Sequence, residues 1–503
     1  MSRSQKFLNN AWSAALFQVL MVITGFILPK VMLSCYGSEI NGLVSSVTQF
    51  VNYFTLVEAG LSGAAIYALY KPLADKDYYQ ISRVVVATRN FYNVSGWIFT
   101  ALVIGLAVIY PLLLKTPILS PLGVAALVLI VGVNGALEFF TLGKYRAILT
   151  ADQRQYIISL SSSIYCLINT GIVVLLAVFG VNIVLVRLVA VSAIFLRSFI
   201  LAIYCRRKYS YIDYSVKPDN GALNKRWDAL FLQILGTLHR GTPVALITIL
   251  ATLKDVSIYT IFNMVLSGVM AVLDIFSSGL GASFGDIIVK KESDILKRAY
   301  SDFETAYYSL ITFVYAIAML QIMPFIRLYT ANVVDANYNQ AILGVIFVLN
   351  GYLYNMKTPQ GMLVISAGLY RETRYQTAAQ ATIEALAGAV LGYRYGLAGV
   401  MVGSCLSNLY RVVDLMFFIP RNVTYLPVWN TLKRLLLSIG EMGVIILIGK
   451  LVLWECTGVL VWIVQSFLLC FIAGGVILLS LFLFDRKCFL SILNRLTYMV
   501  HKK

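Results

Sequence analysis

Basic residues in stretches that an apolar helix would bury are the chemically informative feature of this 503-residue chain. Arg89, Arg187, Arg197, Arg240, Lys357, Arg411 and Lys450 all fall inside apolar windows long enough to cross a bilayer. A charge at mid-depth costs ~2.5 to 3.5 kcal/mol there and must face protein or water. An arginine fork grips phosphate oxygens through paired hydrogen bonds, and lysine supplies a point charge. Arg240, Lys357, Arg411 and Arg89 are therefore candidates for a cationic lining that holds a phosphate-bearing ligand. A plainer reading accompanies several of them. Arg89 and Arg197 lie close enough to the ends of their windows to snorkel to the surface. Lys450 and Glu441 share one late window and suit snorkelling or a local contact, and Arg411 and Asp414 are three apart on one helical face, where they can neutralise each other. Arg240 stands apart, because no carboxylate occurs in the four residues after it and His239, Gly241 and Pro243 surround it.

The acidic and neutral polar residues extend this set. Glu58, Asp274, Glu384, Glu138, Asp414 and Glu441 also fall inside apolar windows. Glu58 and Asp274 come from equivalent spans and suit one cleft, where Glu58 reads either as a proton or sodium site that couples transport or as a structural partner of Arg240 or Arg89; Glu384 and Glu138 are weaker members of the set. His239 is a candidate for titration near neutral pH or for a hydrogen bond to a neighbouring helix. Asn52 and Asn355, with Tyr53, Asn350, Tyr352 and Tyr354, suit sugar hydroxyls as well as they suit interhelical hydrogen bonds. Pro29 and Pro243 are candidate helix breaks, since each removes a backbone donor.

The elements that must position these residues follow from composition. With 59% hydrophobic and 13% charged residues, the chain cannot be a single water-soluble core. Windows of apolar residues give about fourteen spans: six between 11 and 204, six between 228 and 419, and two between 434 and 484. The N-terminal Met-Ser-Arg-Ser-Gln-Lys runs into the first span with no small-residue cleavage site, which predicts a retained helix. The net charge of +17 is concentrated in alternate connections, leaving Lys30, Lys115, Lys254, Arg327 and Arg394 on the other side. That asymmetry predicts both termini in the cytoplasm and makes nucleic-acid binding unnecessary. The basic connection 206–227 separates a first lobe, 1–205, from a second, 228–420, with two further spans and a tail in 421–503. The seven cysteines show no metal spacing, and Cys35 and Cys456 both fall near the outer face without any geometric sign of a disulfide.

The two six-span blocks look related. Gln18 followed by Pro29 is matched by Gln233 followed by Pro243, and Gly60-Leu61-Ser62-Gly63-Ala64 by Gly279-Leu280-Gly281-Ala282-Ser283. Equal span numbers make this a parallel repeat. Leu28-Pro29-Lys30-Val31-Met32-Leu33-Ser34-Cys35-Tyr36-Gly37, Asn41-Gly42-Leu43-Val44-Ser45-Ser46 and Leu56-Val57-Glu58-Ala59-Gly60-Leu61-Ser62-Gly63-Ala64-Ala65-Ile66 resemble the N-terminal signature of bacterial polysaccharide transporters. Ser257-Ile258-Tyr259-Thr260-Ile261-Phe262, leading to Asp274-Ile275-Phe276, is similar to the start of that family's second half. These O-antigen and capsule flippases belong to the MOP superfamily, which also holds the multidrug and toxic compound extrusion transporters and the lipid II flippase. The resemblance implies an all-α polytopic membrane fold with two six-helix lobes related by a pseudo-two-fold axis, two C-terminal helices, and a cleft lined by spans 1, 2, 7 and 8. It also implies a polyprenyl-pyrophosphate-linked oligosaccharide as substrate, alternating access, no cofactor beyond H+ or Na+ as coupling ion, and the bacterial cytoplasmic (inner) membrane. A monomer working with membrane lipids, a glycan polymerase and glycosyltransferases is expected.

Two other functions compete. A drug or cation antiporter of the same superfamily calls for an acidic, aromatic cleft without a central arginine. A membrane glycosyltransferase or polymerase needs a catalytic acid, base or metal site and a sizeable outer loop, whereas the longest one, about 324–340, offers Asp335 alone. A primary pump is excluded by the absence of a phosphate-binding Gly-x-x-x-x-Gly-Lys-Ser/Thr loop. The chain is therefore expected not to be an enzyme.

Overall fold

Inside a bilayer no water satisfies backbone N–H and C=O groups, so a chain this apolar must close its hydrogen bonds within helices or a closed barrel. The computed structural model describes residues 3–58, 61–114, 116–219, 221, 226–277 and 280–486, and among these the regular structure is entirely helical. The order is α1 (Arg3–Phe54), α2 (Leu61–Asp75), α3 (Tyr78–Leu113), α4 (Pro121–Leu137), α5 (Gly143–Ala151), α6 (Gln155–Val178), α7 (Ile183–Ala190) and α8 (Ser192–Lys208). After a connection come α9 (Arg226–Leu250), α10 (Leu253–Ser277), α11 (Leu280–Val289), α12 (Ser293–Tyr329), α13 (Ala341–Met356), α14 (Thr358–Ser366), α15 (Arg374–Ile419), α16 (Val428–Val452) and α17 (Val459–Phe484).

Ten helices among the described residues are long and apolar enough to cross a membrane. Two of them are double. Gln5–Glu58 is 54 residues long and Arg374–Thr424 is 51, against the ~20 needed for one crossing. Each is interrupted where a glycine takes a positive φ, Gly37 at 79° and Gly396 at 57°, which a side chain would resist. With α9 and the α13–α14 pair, these elements make a polytopic membrane protein of about fourteen crossings. Pro29 and Pro243 are not where the chain breaks: α1 and α9 stay helical through them. A proline costs one hydrogen bond and bends a helix, but reversing the chain requires a backbone conformation that glycine adopts freely.

The chain divides into two compact units, Met1–Thr248 with Leu253–Ser257, and Ile249–Thr252 with Ile258–Lys503. In the first, the second arm of α1 receives the end of α9 and the start of α10 through close contacts. A Cβ on Gly42 would lie 1.7 Å from the Leu253 carbonyl oxygen. Around this seam Tyr110 Oη donates to Ser46 Oγ at 2.8 Å, Ser46 and Thr248 hydroxyls lie 2.7 Å apart, and Asn41 Nδ2 donates to Ser257 Oγ at 2.7 Å. These buried polar groups satisfy one another. At the basic end, Asp152 accepts hydrogen bonds from Lys6, Tyr209 and Arg154, tying the start of α1 to the connection between α5 and α6. Burial alone would raise the Asp152 carboxyl, but those three donors hold it below the ordinary carboxylate range.

In the second unit the last two crossings are fastened to α12. Glu304 is fully buried and accepts from Tyr300 Oη at 2.8 Å, Gln360 Nε2 at 2.9 Å, Thr431 Oγ1 at 2.9 Å and Arg434 Nη1 at 2.6 Å. Further along, Ala316, Ile445, Ala473 and Ile477 form the apolar contact of α12, α16 and α17. Lipid-facing side chains on the same helices remain open, Leu451 at 87% exposure and Leu460 at 79%. Arg434→Ala leaves the Glu304 carboxylate buried without its cation and is expected to cost about 3–5 kcal/mol. Lys290→Ala, which breaks an exposed pair with Asp286, should leave the unfolding transition essentially where it is. Unfolding of the purified variants in detergent checks the difference.

Candidate functional site

The first unit builds a charged cavity where the fourth crossing departs from α-helical geometry. Between α4 and α5, Glu138–Leu142 form a π-helical turn. Such a turn holds an inserted residue, changes the rotation between flanking segments and recurs at functional sites. Its first residue, Glu138, bonds the Arg146 guanidinium of α5, and Arg146 Nη1 also lies 3.8 Å from Glu58 Oε1. Glu58 occupies the 3-10 turn Thr55–Glu58 that ends the second crossing's first segment. From α8, Arg197 Nη1 approaches Glu138 to 3.6 Å, and its guanidinium carbon lies 5.8 Å from the centre of the Tyr165 ring on α6. Two carboxylates and two guanidiniums from three interrupted crossings thus meet inside one bundle.

Glu138, Arg146 and Arg197 border a cavity of about 710 Å³, lined also by Gln155, Ser162, Tyr165, Asn169, Thr170 and the α1 residues Phe17, Met21 and Leu28. Its size lies in the range of ligand sites. Two polar atoms of its lining residues, Arg197 Nε and Thr170 Oγ1, are buried without a protein hydrogen-bond partner. Arginine's planar fork is suited to a phosphoryl group, and the carboxylates keep the cavity near neutrality when it is empty.

The second unit gathers a comparable group around its own interrupted crossing. Lys357 separates α13 from α14, its Nζ donating to Asn408 Oδ1 at 2.7 Å and lying 4.4 Å from the Tyr354 ring centre. Asn408 Nδ2 donates to Asn350 Oδ1 at 2.9 Å, and Gln380 Nε2 to Asn408 Oδ1 at 3.3 Å. Arg411 donates to Asp414 at 2.6 Å and to Thr377 at 3.2 Å, while Glu384 accepts from Ser404 at 3.0 Å. The two groups occupy corresponding positions in the chain. Glu138 and Lys357 each stand at the break of a fourth crossing, and Arg197 and Arg411 each lie about four turns into a sixth.

Of the residues singled out from the sequence, Lys357, Arg411 and Glu384 share the second group, and Glu58 belongs to the first. Arg89 lies elsewhere: its guanidinium carbon is 5.5 Å from the Tyr214 ring centre, near the basic end of the first unit. Asn355 is buried and fully used, accepting from Tyr307 and donating to Tyr315 and to the Gly351 carbonyl. Asn52 is exposed on α1, Asp274 is exposed on α10, and His239 is half-buried on α9. Arg240 continues the backbone of α9, but its side chain lies outside the described residues. Cys35 and Cys456 are both free thiols. Arg146 did not emerge from sequence because it falls past the apolar window of its crossing, and Arg197 read equally well as a snorkelling residue. The signal that links them is Glu138, an acid about two turns before Arg146 with no basic residue closer on its helix than Lys144.

No family model and no curated protein matches the chain. Solved structures do. The chain is similar to lipid II flippase MurJ in an inward closed conformation, with TM-score 0.64 and 13% identity over 93% of this chain and 99% of that one. It is similar to the inward-facing conformation of a multidrug resistance MATE family transporter of the MOP superfamily, with TM-score 0.61 and 12% identity over 84% and 94% of the two chains. An outward-facing conformation of such a transporter gives TM-score 0.54 and 13% identity over 80% and 93%. The fold is thus that of polytopic membrane transporters in which both orientations have been solved. If the cavity beside Arg197 is hydrated, a cysteine replacing Asn169 in a cysteine-free background should react readily with a charged methanethiosulfonate. A cysteine retained only at buried position 405 should react far more slowly, as thiol-labelling rates will report.

Proposed function

We propose that this protein is a flippase that carries a polyprenyl-pyrophosphate-linked oligosaccharide from the cytoplasmic to the outer leaflet by alternating access. The observation that carries this reading is the 710 Å³ cavity of the first unit, lined by Arg146 and Arg197 from helices long and apolar enough to cross a membrane. Pyrophosphate oxygens would take over hydrogen bonds that Glu138 makes in the empty protein, while Tyr165, Asn169 and Gln155 offer donors and acceptors to sugar hydroxyls. The polyprenyl chain would stay in lipid. Arg240 would add to the cationic path along α9, with Lys357 and Arg411 serving the second unit. Glu58 and Glu138 are the acids through which H+ or Na+ would drive the cycle. The basic connections would face the cytoplasm of a bacterial cell, with both termini there, and a glycan polymerase and glycosyltransferases would act before and after the transported lipid.

A drug or cation antiporter is the competing reading, and the presence of Glu138 in the cavity lining, with Glu58 on the other side of Arg146, favours it. Each is however within ion-pair distance of Arg146, which leaves less negative charge for a cationic drug. The test reconstitutes the protein in liposomes with a fluorescent polyprenyl-pyrophosphate oligosaccharide and follows its accessibility to an external quencher. Arg197→Ala and Arg240→Ala, inserted at normal levels, should each slow translocation about tenfold or more, the worth of a hydrogen bond to a charged group. Unchanged translocation in both, or export of a cationic dye in place of the glycolipid, overturns the assignment.

A further inference from the structure

On the other side of α4 and α8 from the charged cavity lies a second concavity, of about 610 Å³, that opens outward among exposed apolar residues. The π-helical turn contributes to both. Glu138 goes to the inner cavity, whereas Phe140 and Thr141 line the outer groove. Helix α8 divides in the same way, with Arg197 inside and Phe195, Ser198 and Phe199 outside. A hydrogen bond of 2.8 Å between the Thr141 and Ser198 hydroxyls closes the wall between them. Phe195 and Phe199 are 55% and 63% exposed, so the groove presents apolar ring surface toward the bilayer.

The basic end of this groove carries positive charge without compensation. Lys144 lines it, lying 4.9 Å from the Tyr145 ring centre and 5.8 Å from that of Tyr214, and Arg89 approaches the same Tyr214 ring to 5.5 Å. Arg206, at the end of α8, acts electrostatically on Lys144, Tyr145 and Tyr214. Among the described residues none of these three cations forms an ion pair. An open apolar groove with Lys144 in its lining, Arg89 on the Tyr214 ring that Lys144 also approaches, and Arg206 within electrostatic reach of the same residues matches a lipid chain joined to an anionic headgroup.

We propose that this groove binds an anionic glycerophospholipid of the leaflet on the basic side, its phosphate held by Lys144, Arg89 and Arg206 and one acyl chain lying along Phe140, Phe195 and Phe199. The site is independent of the transported substrate. Tyrosine faces hold the two nearer cations in place, which suits a resident lipid that steadies the wall of the inner cavity.

Native mass spectrometry of the full-length protein, titrated with phosphatidylglycerol or with phosphatidylcholine of the same chains, tests this. Phosphatidylglycerol should be retained in preference, and Lys144→Gln, Arg89→Gln and Arg206→Gln should each weaken its retention about fivefold while leaving phosphatidylcholine unchanged. Ala202→Trp, which fills the groove and removes no charge, should weaken both lipids. Melting temperatures of all four variants identify any that misfold. Equal retention of the two lipids, loss of neither with the cations removed, or displacement of phosphatidylglycerol by equimolar undecaprenyl phosphate overturns the proposal.

Discussion

A charge buried in a bilayer has no water to turn to, so its position is decided by the nearest group able to neutralise it. In the first unit that group is Glu138, which receives Arg146 from its own crossing and Arg197 from another. Remove it and Arg197 loses its counter-charge while Arg146 keeps only Glu58, in a region where an isolated ion is costly. The path of the fourth crossing, the placement of Glu58 and the existence of an open cavity beside Tyr165 all follow from keeping these charges together. The same requirement explains why Lys357 and Arg411 lie among asparagine, glutamine and aspartate side chains in the second unit and not on a lipid-facing surface.

Interruptions in helices, more than the helices themselves, create the polar interior. A regular helix satisfies its own backbone and presents only side chains, so a crossing becomes a binding element where it is broken and re-aimed. Glu58 lies in a 3-10 turn, Glu138 in a π turn, and Lys357 between two helices. One break recurs at matching places in both halves of the chain: the fourth crossing of each block is split, at Glu138–Leu142 in the first and at Lys357 in the second. This gives physical content to the faint sequence repeat. What the halves share is the place where the fourth crossing is interrupted, with different residues at the interruption.

Much of the fold was legible because apolar windows of the right length have one outcome in a bilayer. The site was less legible. Proline drew attention to Pro29 and Pro243, but Gly37 and Gly396 reverse the chain, since only their dihedrals identify them. Arg411 and Asp414 were paired by spacing and are paired in the fold. Asn355 looked available for a sugar and is consumed by Tyr307 and Tyr315, because hydrogen-bond satisfaction depends on which helices are neighbours. Arg146 was hidden by the π turn itself, which carries the charge back into the bundle from a position that hydropathy assigns to a loop.

That turn has a consequence for how the crossing can vary. An α-helix advances about 100° per residue, so a turn one residue wider than its neighbours sets the angular offset between everything before it and everything after it. A chain shortened by one residue within Glu138–Leu142 would still span the membrane and still be apolar. Every side chain beyond it would be turned by more than a quarter of a circle, carrying Arg146 away from the cavity and Lys144 away from Tyr214. The polarity of both faces of this wall is therefore encoded in the length of five residues as much as in their identity.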